Sequence, residues 1–430
     1  MKKRNPHKRQ SQSQHSHMFH AGRIWKSWIS SYPLHLFDRF LGNELAGILP
    51  ETAGQIYTLL FGCMRRAITA LFISGISDES QLEDELKLFG LANNSQSSLL
   101  KNMAGLPFDA IRLVAATRDK DPAVLAIMDM LARMDLVSAK MVAAGIPPYL
   151  QSIMDERILG TDAFFRQLHI PPPLWLRVNF PHKADEAIAT LEAEGFQVKQ
   201  EGEDVISASG EKSIYDSACF KSGRIEVQDL ASQHIGRETE AAPVDLVWDM
   251  CAGTGGKSIQ LASMMKNKGA IFVSEPGRGK VVLLKKRIRR SGLQNIRILE
   301  DDGESGETRP KLPVEVGKRG GFNRILVDAP CSSSGTWRRN PDAKIRFNPA
   351  DMDKLNSIKL KLLSRAARVL APGGILVFAT CSIFTAENEK TAQAFLGTHP
   401  DFRLERESLW GYPWQDSDTV YTAVLRKIKK

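Results

Sequence analysis

Apolar residues recur at three- and four-residue steps through "FDRFLGNELAGILPETAGQIYTLLFGCMRRAITALF" (37–72) and "DPAVLAIMDMLARMDLVSAKMVAAG" (121–145). That spacing places them on one face of a helix. No alternating run interrupts residues 20–165, and breaks fall at Gly, Pro and Asn-Asn, so a domain of several short helices is expected. "HIPPPLWLRVNF" (169–180) resets the pattern. Three consecutive prolines cannot continue a helix, and Trp175 to Asn179 read as a strand. A helix in "KADEAIATLEAEG" and strands in "FQVKQE" and "DVISAS" follow. A β-α-β-β order in so short a span suggests a small α+β module, ferredoxin-like.

From Val244 onward, "VDLVWDM", "AIFVSE", "NIRILED", "FNRILVDAP" and "GILVFATCS" are short β-rich runs, most of them separated by helical segments. Such alternation predicts an α/β domain with a doubly wound, mostly parallel, Rossmann-like sheet. Gly373 and Gly374 punctuate the start of its fifth strand, and "DFRLERE" and "VYTAVLRK" are candidates for antiparallel strands at the far end. The scheme is a disordered basic tail (1–20), a helical domain (21–168), an α+β module (169–240) and a catalytic domain (241–430).

Composition narrows the class. A chain of 430 residues, 43% hydrophobic and 25% charged, belongs with soluble multidomain proteins. No continuous apolar run of membrane-spanning length is visible, and the basic start is not followed by an apolar stretch, which argues against a secretory signal. A net charge of +9 favours an acidic partner such as RNA or DNA. Five scattered cysteines without a CxxC point to a reducing cytoplasm and to no metal site.

The candidate chemistry sits after the strands. "DMCAGTGGKS" (249–258) offers Gly253, Gly255 and Gly256 at a strand-to-helix turn, where backbone can approach a ligand. Ser258 stands where a dinucleotide fingerprint needs glycine, and the GKS lacks the earlier glycine of a Walker loop. Glu275, about 20 residues on, is placed to bind ribose hydroxyls; its ordinary alternative is a helix cap or surface acid. "ILVDAPCSSSGTWRRNPDAKIR" (325–346) puts Asp328 at a strand tip and Cys331 in a small-residue loop read as exposed. Arg338 and Arg339 suit phosphate contacts, the alternative being a salt-bridge cluster. Cys381 ends the next strand. A buried core thiol is the ordinary reading of either cysteine, but two at the ligand edge of one sheet argue for chemistry. "GRGKVVLLKKRIRRSG" (277–292) has seven basic residues and no acidic one, a solvated face or an RNA contact.

Over roughly residues 170–390, "PLWLRVN", "GRIEVQDLASQ", "DMCAGTGGKS", "DAPCSSSGTWRRNPD", "LAPGG" and "FATCS" together resemble the RNA (cytosine-5)-methyltransferases of the Nop/Sun type, which use S-adenosylmethionine. The resemblance implies that Cys381 is the nucleophile and Cys331 the second cysteine, associated with product release. It implies a cofactor loop of Cys251, Ala252, Gly253, Gly255, Gly256 and Lys257. Glu275, Asp302 and Asp328 would contact the cofactor or active site, with Asp301 the neighbouring choice for Asp302. The chain departs from the pattern at Gly253-Thr254, where many relatives have Ala-Pro, at Lys280, where arginine is usual, and in "VYTAVLRK", which lacks an aromatic pair. The expected function is methylation of cytosine carbon 5 in RNA, ribosomal RNA foremost, by a monomer without membrane contact. The alternatives are a catalytically silent RNA-binding or ribosome assembly factor, or a methyltransferase acting on tRNA. An exocyclic-amine enzyme would show Asn/Asp-Pro-Pro-aromatic in place of "DAPC", and a DNA enzyme would lack "TCS".

Overall fold

The computed structural model describes residues 20–31, 37–48, 50–76, 82–115, 127, 130, 131, 134, 136–299 and 312–429. Nearly all of the basic tail, as well as Asp301 and Asp302, lies outside these residues. The chain divides into two units, 1–171 with 337–351 and 172–336 with 352–430.

Among the described residues the first unit is helical, as the spacing predicts. Its longest helix, α1 (Pro50–Gly75), buries Ile56, Leu60, Met64 and Ile68 in a core with Trp25, Trp28 and Phe37. The stretch 52–75 is long and apolar enough to cross a membrane by length and composition, although Arg65 and Arg66 break it as a continuous apolar run. Here its apolar face is packed inside the helical core. Cys63 is part of that core and so takes the ordinary reading.

Residues 337–351 belong to this unit because Ile345 joins its core. Gln96 Nε2 donates to the carbonyls of Ile345 (2.9 Å) and Arg346 (2.6 Å). Arg338 corrects the sequence reading. It is 3% exposed beside the buried Trp337, and its Nε donates to the Ile170 carbonyl at 2.9 Å. The apolar anchors of the segment draw the guanidinium inward, so it is not on offer to a phosphate.

Lys344 is fully buried, its Nζ 3.2 Å from the Ala144 carbonyl and 3.5 Å from that of Arg65. Burial, and then the charges of Arg65 and Arg66, pull its pKa from 10.5 to about 7.

In the second unit a four-stranded antiparallel sheet has the order β2-β3-β1-β4. Its strands are β1 (Leu174–Val178), β2 (Gln197–Gln200), β3 (Val205–Ser209) and β4 (Ile225–Val227), with α2 (Ala184–Ala193) and α3 (Ala218–Lys221) as connections. This is the ferredoxin-like β-α-β-β-α-β order. The larger sheet comprises β5 (Leu246–Asp249), β6 (Ala270–Val273), β7 (Ile296–Ile298), β8 (Phe322–Asp328), β9 (Leu370–Thr380), β10 (Phe402–Gly411) and β11 (Thr419–Lys427). Their order is β10-β11-β9-β8-β5-β6-β7, parallel from β7 to β9, with β11 antiparallel to both neighbours.

Alternate residues of these strands face different helix layers. Trp248, Leu376 and Phe378 pack with α7 (Val314–Lys318), α8 (Met352–Val369) and α9 (Glu389–Thr398). Val247, Ile375 and Val377 pack with α4 (Leu230–Glu238), α5 (Gly256–Met264) and α6 (Arg278–Ser291). Burial on both faces is why the strands read as unbroken apolar runs. One boundary differs from the sequence reading: β9 starts at Leu370, and Gly373 (φ +78°) lies within it. Pairing jumps from Phe322↔Leu370 to Arg324↔Ile375, so the "APGG" residues bulge out of register.

A base whose folded pKa is depressed is neutral in the folded state and charged in the unfolded state between the two values. The Lys344 penalty is therefore fully present below pH 7 and relieved as the pH rises from 7 towards 10.5. Lys344→Met should stabilise the chain at pH 6 by on the order of 3 kcal/mol, the gain shrinking by pH 10. Urea denaturation at both pH values measures this, and an equal gain at each would refute it.

Candidate active site

Strand order reverses between β5 and β8, and open α/β sheets bind ligands in the crevice at such a switch point. The tips of β5, β8 and β9 converge there. β5 ends on Asp249, which leads into the turn holding Cys251 to Lys257. Gly255 adopts φ +93°, and a Cβ on it would lie 2.5 Å from Leu284 Cδ1. Gly253, at φ +56°, has open space where a Cβ would project. Asp249 is 1% exposed; Oδ2 accepts from Ser258 at 2.7 Å, while Oδ1 has no hydrogen-bond partner. Burial pushes its pKa up to about 6.

β8 delivers Asp328, whose Oδ2 accepts from Lys257 Nζ at 2.8 Å. Burial opposes charge on Lys257, yet the adjacent Asp328 carboxylate lifts its pKa above the usual lysine value. Cys331 and Cys381 lie with sulfurs 3.3 Å apart. The Cys331 thiol donating to Cys381 lowers the Cys381 pKa against the opposing effect of burial, with Ser333 and Lys257 assisting. That bond and burial drive the Cys331 pKa well up. Burial and then Asp249 do the same to Cys251. Among the cysteines that feel the site, only Cys381 is biased towards thiolate, the form that attacks carbon.

The loop after Cys331 is packed, not exposed as its small residues suggested. Ser332 and Ser334 are buried, and their hydroxyls converge with that of Ser382 around Glu387. Glu387 Oε2 accepts from Ser332 Oγ (2.5 Å) and Ser382 Oγ (2.6 Å). Its Oε1 accepts from the Ser332 amide (3.1 Å) and from Lys359 Nζ of α8 (2.7 Å), and both partners of the ion pair are fully buried. Ser333, between these anchors, is held at φ +58°, a left-handed conformation costly for a residue with a side chain. Asn388 Nδ2 donates to the Ser382 carbonyl at 2.9 Å. Sequence reasoning missed Lys359, Glu387 and Asn388. The clue available was a second acidic-amide pair in "AENEK", directly beyond "TCS".

Glu275 lies just past β6 and is nearly buried. Its Oε1 accepts from the Gly277 amide at 2.8 Å and lies 3.6 Å from Lys280 Nζ. The ordinary capping role is thus present, at the place where a ribose-binding acid would also stand. The basic run forms α6, but Arg287 and Arg290 both pair with the buried Glu226 of β4. Arg278, Lys280, Lys285, Lys286 and Arg289 remain exposed.

Residues 239–421 match the family "16S rRNA methyltransferase RsmB/F". A probable ribosomal RNA small subunit methyltransferase B of Bacillus subtilis is 37% identical over 238 residues, covering 54% of this chain and 51% of the relative. The chain thus spans about half the length of the curated relatives it matches. The crystal structure of PH0851 superposes with a TM-score of 0.68 at 23% identity, covering 95% of this chain and 99% of that one. NSun6 from Pyrococcus horikoshii, with SFG, gives 0.56 at 16% identity, covering 66% and 97%. At these identities the two structures establish the fold.

Removing one member of a buried ion pair strands the other charge. Lys359→Met should lower unfolding stability by about 3 kcal/mol, and adding Glu387→Gln should restore most of it. Urea denaturation of the single and double variants measures the coupling; additive losses would show that the pair does not hold the loops.

Proposed function

Because residues 239–421 belong to the RsmB/F family of Nop/Sun-type, S-adenosylmethionine-dependent RNA methyltransferases, we propose that this protein methylates carbon 5 of a cytosine in RNA, ribosomal RNA foremost. The observation that carries the reading is the pair of thiols 3.3 Å apart, with Cys381 biased towards thiolate. Carbon 5 of cytosine is a poor nucleophile. Thiolate addition to carbon 6 forms a carbon–sulfur bond and pushes the ring electrons to carbon 5, which can then bond to a methyl group. A base, for which solvent water is available, then takes the carbon-5 proton. The pair of the broken carbon–hydrogen bond re-forms the 5,6 double bond, and the carbon–sulfur bond breaks with its pair leaving on the Cys381 thiolate.

Nitrogen 3 gathers charge during the addition. Asp328 is assigned to hydrogen-bond it as the protonated acid, the proton coming from the Lys257 ammonium that donates to Asp328 Oδ2 at 2.8 Å. Cys331, whose raised pKa keeps it protonated, is assigned to the release stage. The target base must leave any stack to reach these groups.

The turn residues Cys251, Ala252, Gly253, Gly255, Gly256 and Lys257 fit a cofactor cradle. Open space at Gly253 and the unpartnered Asp249 Oδ1 support this. Glu275 is assigned to the ribose hydroxyls. S-adenosylmethionine supplies the electrophilic methyl group when bound. Gly255→Val should abolish its binding in calorimetry while the far-ultraviolet spectrum stays native; unchanged affinity would remove the turn from the cofactor site.

The two cysteine substitutions should fail differently. Cys381→Ala should bind cofactor and RNA, yet transfer no methyl group and form no adduct. Cys331→Ala should attack and then stall, leaving a protein–RNA species that survives denaturing electrophoresis. The reverse pattern would exchange the roles, and full turnover by both variants would reduce both thiols to packing.

A further inference from the structure

An open groove of about 400 Å³ runs between the α+β module and α6. One end of its wall is the cofactor-type turn, since Arg287 Nη1 donates to Thr254 Oγ1 at 3.1 Å. Thr254 is one of the positions where this chain departs from the Ala-Pro of many relatives, and it supplies the acceptor for that link. Glu226, the groove's acid, is fully buried with both oxygens held by Arg287 and Arg290. It therefore presents no free negative face. Lys286 also lines the groove, so the three cations and the one carboxylate leave it with a net positive charge.

The aromatic wall is built in layers. The Arg290 guanidinium lies 3.6 Å from the centroid of the Phe220 ring. Tyr215 packs edge-on against the same ring, centroids 5.0 Å apart at 86°. Tyr215 nevertheless remains 57% exposed, and Leu283 across the groove 52%. The Tyr215 ring is thus packed against an aromatic neighbour while more than half of its surface stays open to solvent.

Neither half of this surface explains the other. A groove for phosphates alone has no use for an exposed tyrosine and leucine, and a purely apolar partner would desolvate the groove's net positive charge without pairing it. One ligand chemistry needs both: an unpaired nucleotide, with a flat base to stack and a phosphate to neutralise. A duplex hides its base faces and offers only the second. We propose that the groove binds an unpaired nucleotide of the RNA substrate, away from the cytosine being methylated, by stacking it on Tyr215 and Leu283 beside Lys286. The inference rests on RNA being the substrate. It adds that strand accessibility around the target is read outside the catalytic crevice.

The test uses the full chain with a 12-nucleotide unstructured RNA containing cytosine and 2-aminopurine, and with the same strand annealed to its complement. Tyr215→Ala with Leu283→Ser should weaken single-strand binding about tenfold and leave duplex binding within twofold. It should also abolish the 2-aminopurine quenching seen with the parent chain, whereas Tyr215→Phe, which keeps the ring, should behave as the parent. Lys286→Gln should flatten the salt dependence for both RNAs. Binding within twofold of the parent in the double variant, or an equal loss for single strand and duplex, would overturn the groove while leaving the methyltransferase reading intact. A polyglutamate peptide that displaces the RNA as well as unlabelled RNA does would also overturn it, since the surface would then bind any anion. If the parent chain binds and methylates no RNA, the substrate assignment falls, and the groove proposal falls with it.

Discussion

The buried ion pair between Lys359 and Glu387 is the contact on which the geometry of the crevice depends. Strand pairing fixes β8 and β9 side by side but stops at Asp328↔Ala379, short of both Cys331 and Cys381. Beyond that point the chain has no ladder to follow. Glu387 replaces it by accepting from hydroxyls on both loops and from the Ser332 amide. An unpaired carboxylate at that depth would be prohibitively costly, and Lys359 makes it tolerable. The pair also holds Ser333 in its left-handed conformation, from which its hydroxyl lies 3.6 Å from Cys381 Sγ.

The cysteines show how far surroundings outweigh residue type. Cys63 and Cys219 are packed among apolar side chains, and burial raises the Cys219 pKa. Burial and the field of three carboxylates, Asp249, Asp328 and Glu275, likewise disfavour the Cys251 thiolate. Cys381 is half-buried, but it receives a hydrogen bond from another thiol and lies within the field of Lys257. The difference arises from what the neighbouring strand tips carry.

Much of this was legible from the chain. Strands buried on both faces announce themselves as continuous apolar runs, and the glycine-rich turn and the two cysteine loops are local in sequence. What stayed hidden was long-range or wore a surface disguise. Lys359 sits in a helix full of lysines and Arg338 in a plainly polar string, yet both are buried by what surrounds them in space. The small residues after Cys331 suggested exposure because their hydroxyls have no apolar signature; their shared acceptor lies 55 residues downstream of Ser332. The basic run was read as one face, whereas Arg287 and Arg290 are held by a strand of the preceding module.

The excursion of residues 337–351 into the helical unit has a consequence for biosynthesis. The core around α1 lacks Ile345, and Gln96 lacks the two carbonyls it donates to, until a segment far along the chain has left the ribosome. Most of the helical unit is synthesised ahead of the α+β module, yet it cannot be completed until residue 351 has been added, well after that module. During the interval, the apolar side chains that Ile345 will cover are left open, and uncovered apolar surface of this kind favours aggregation.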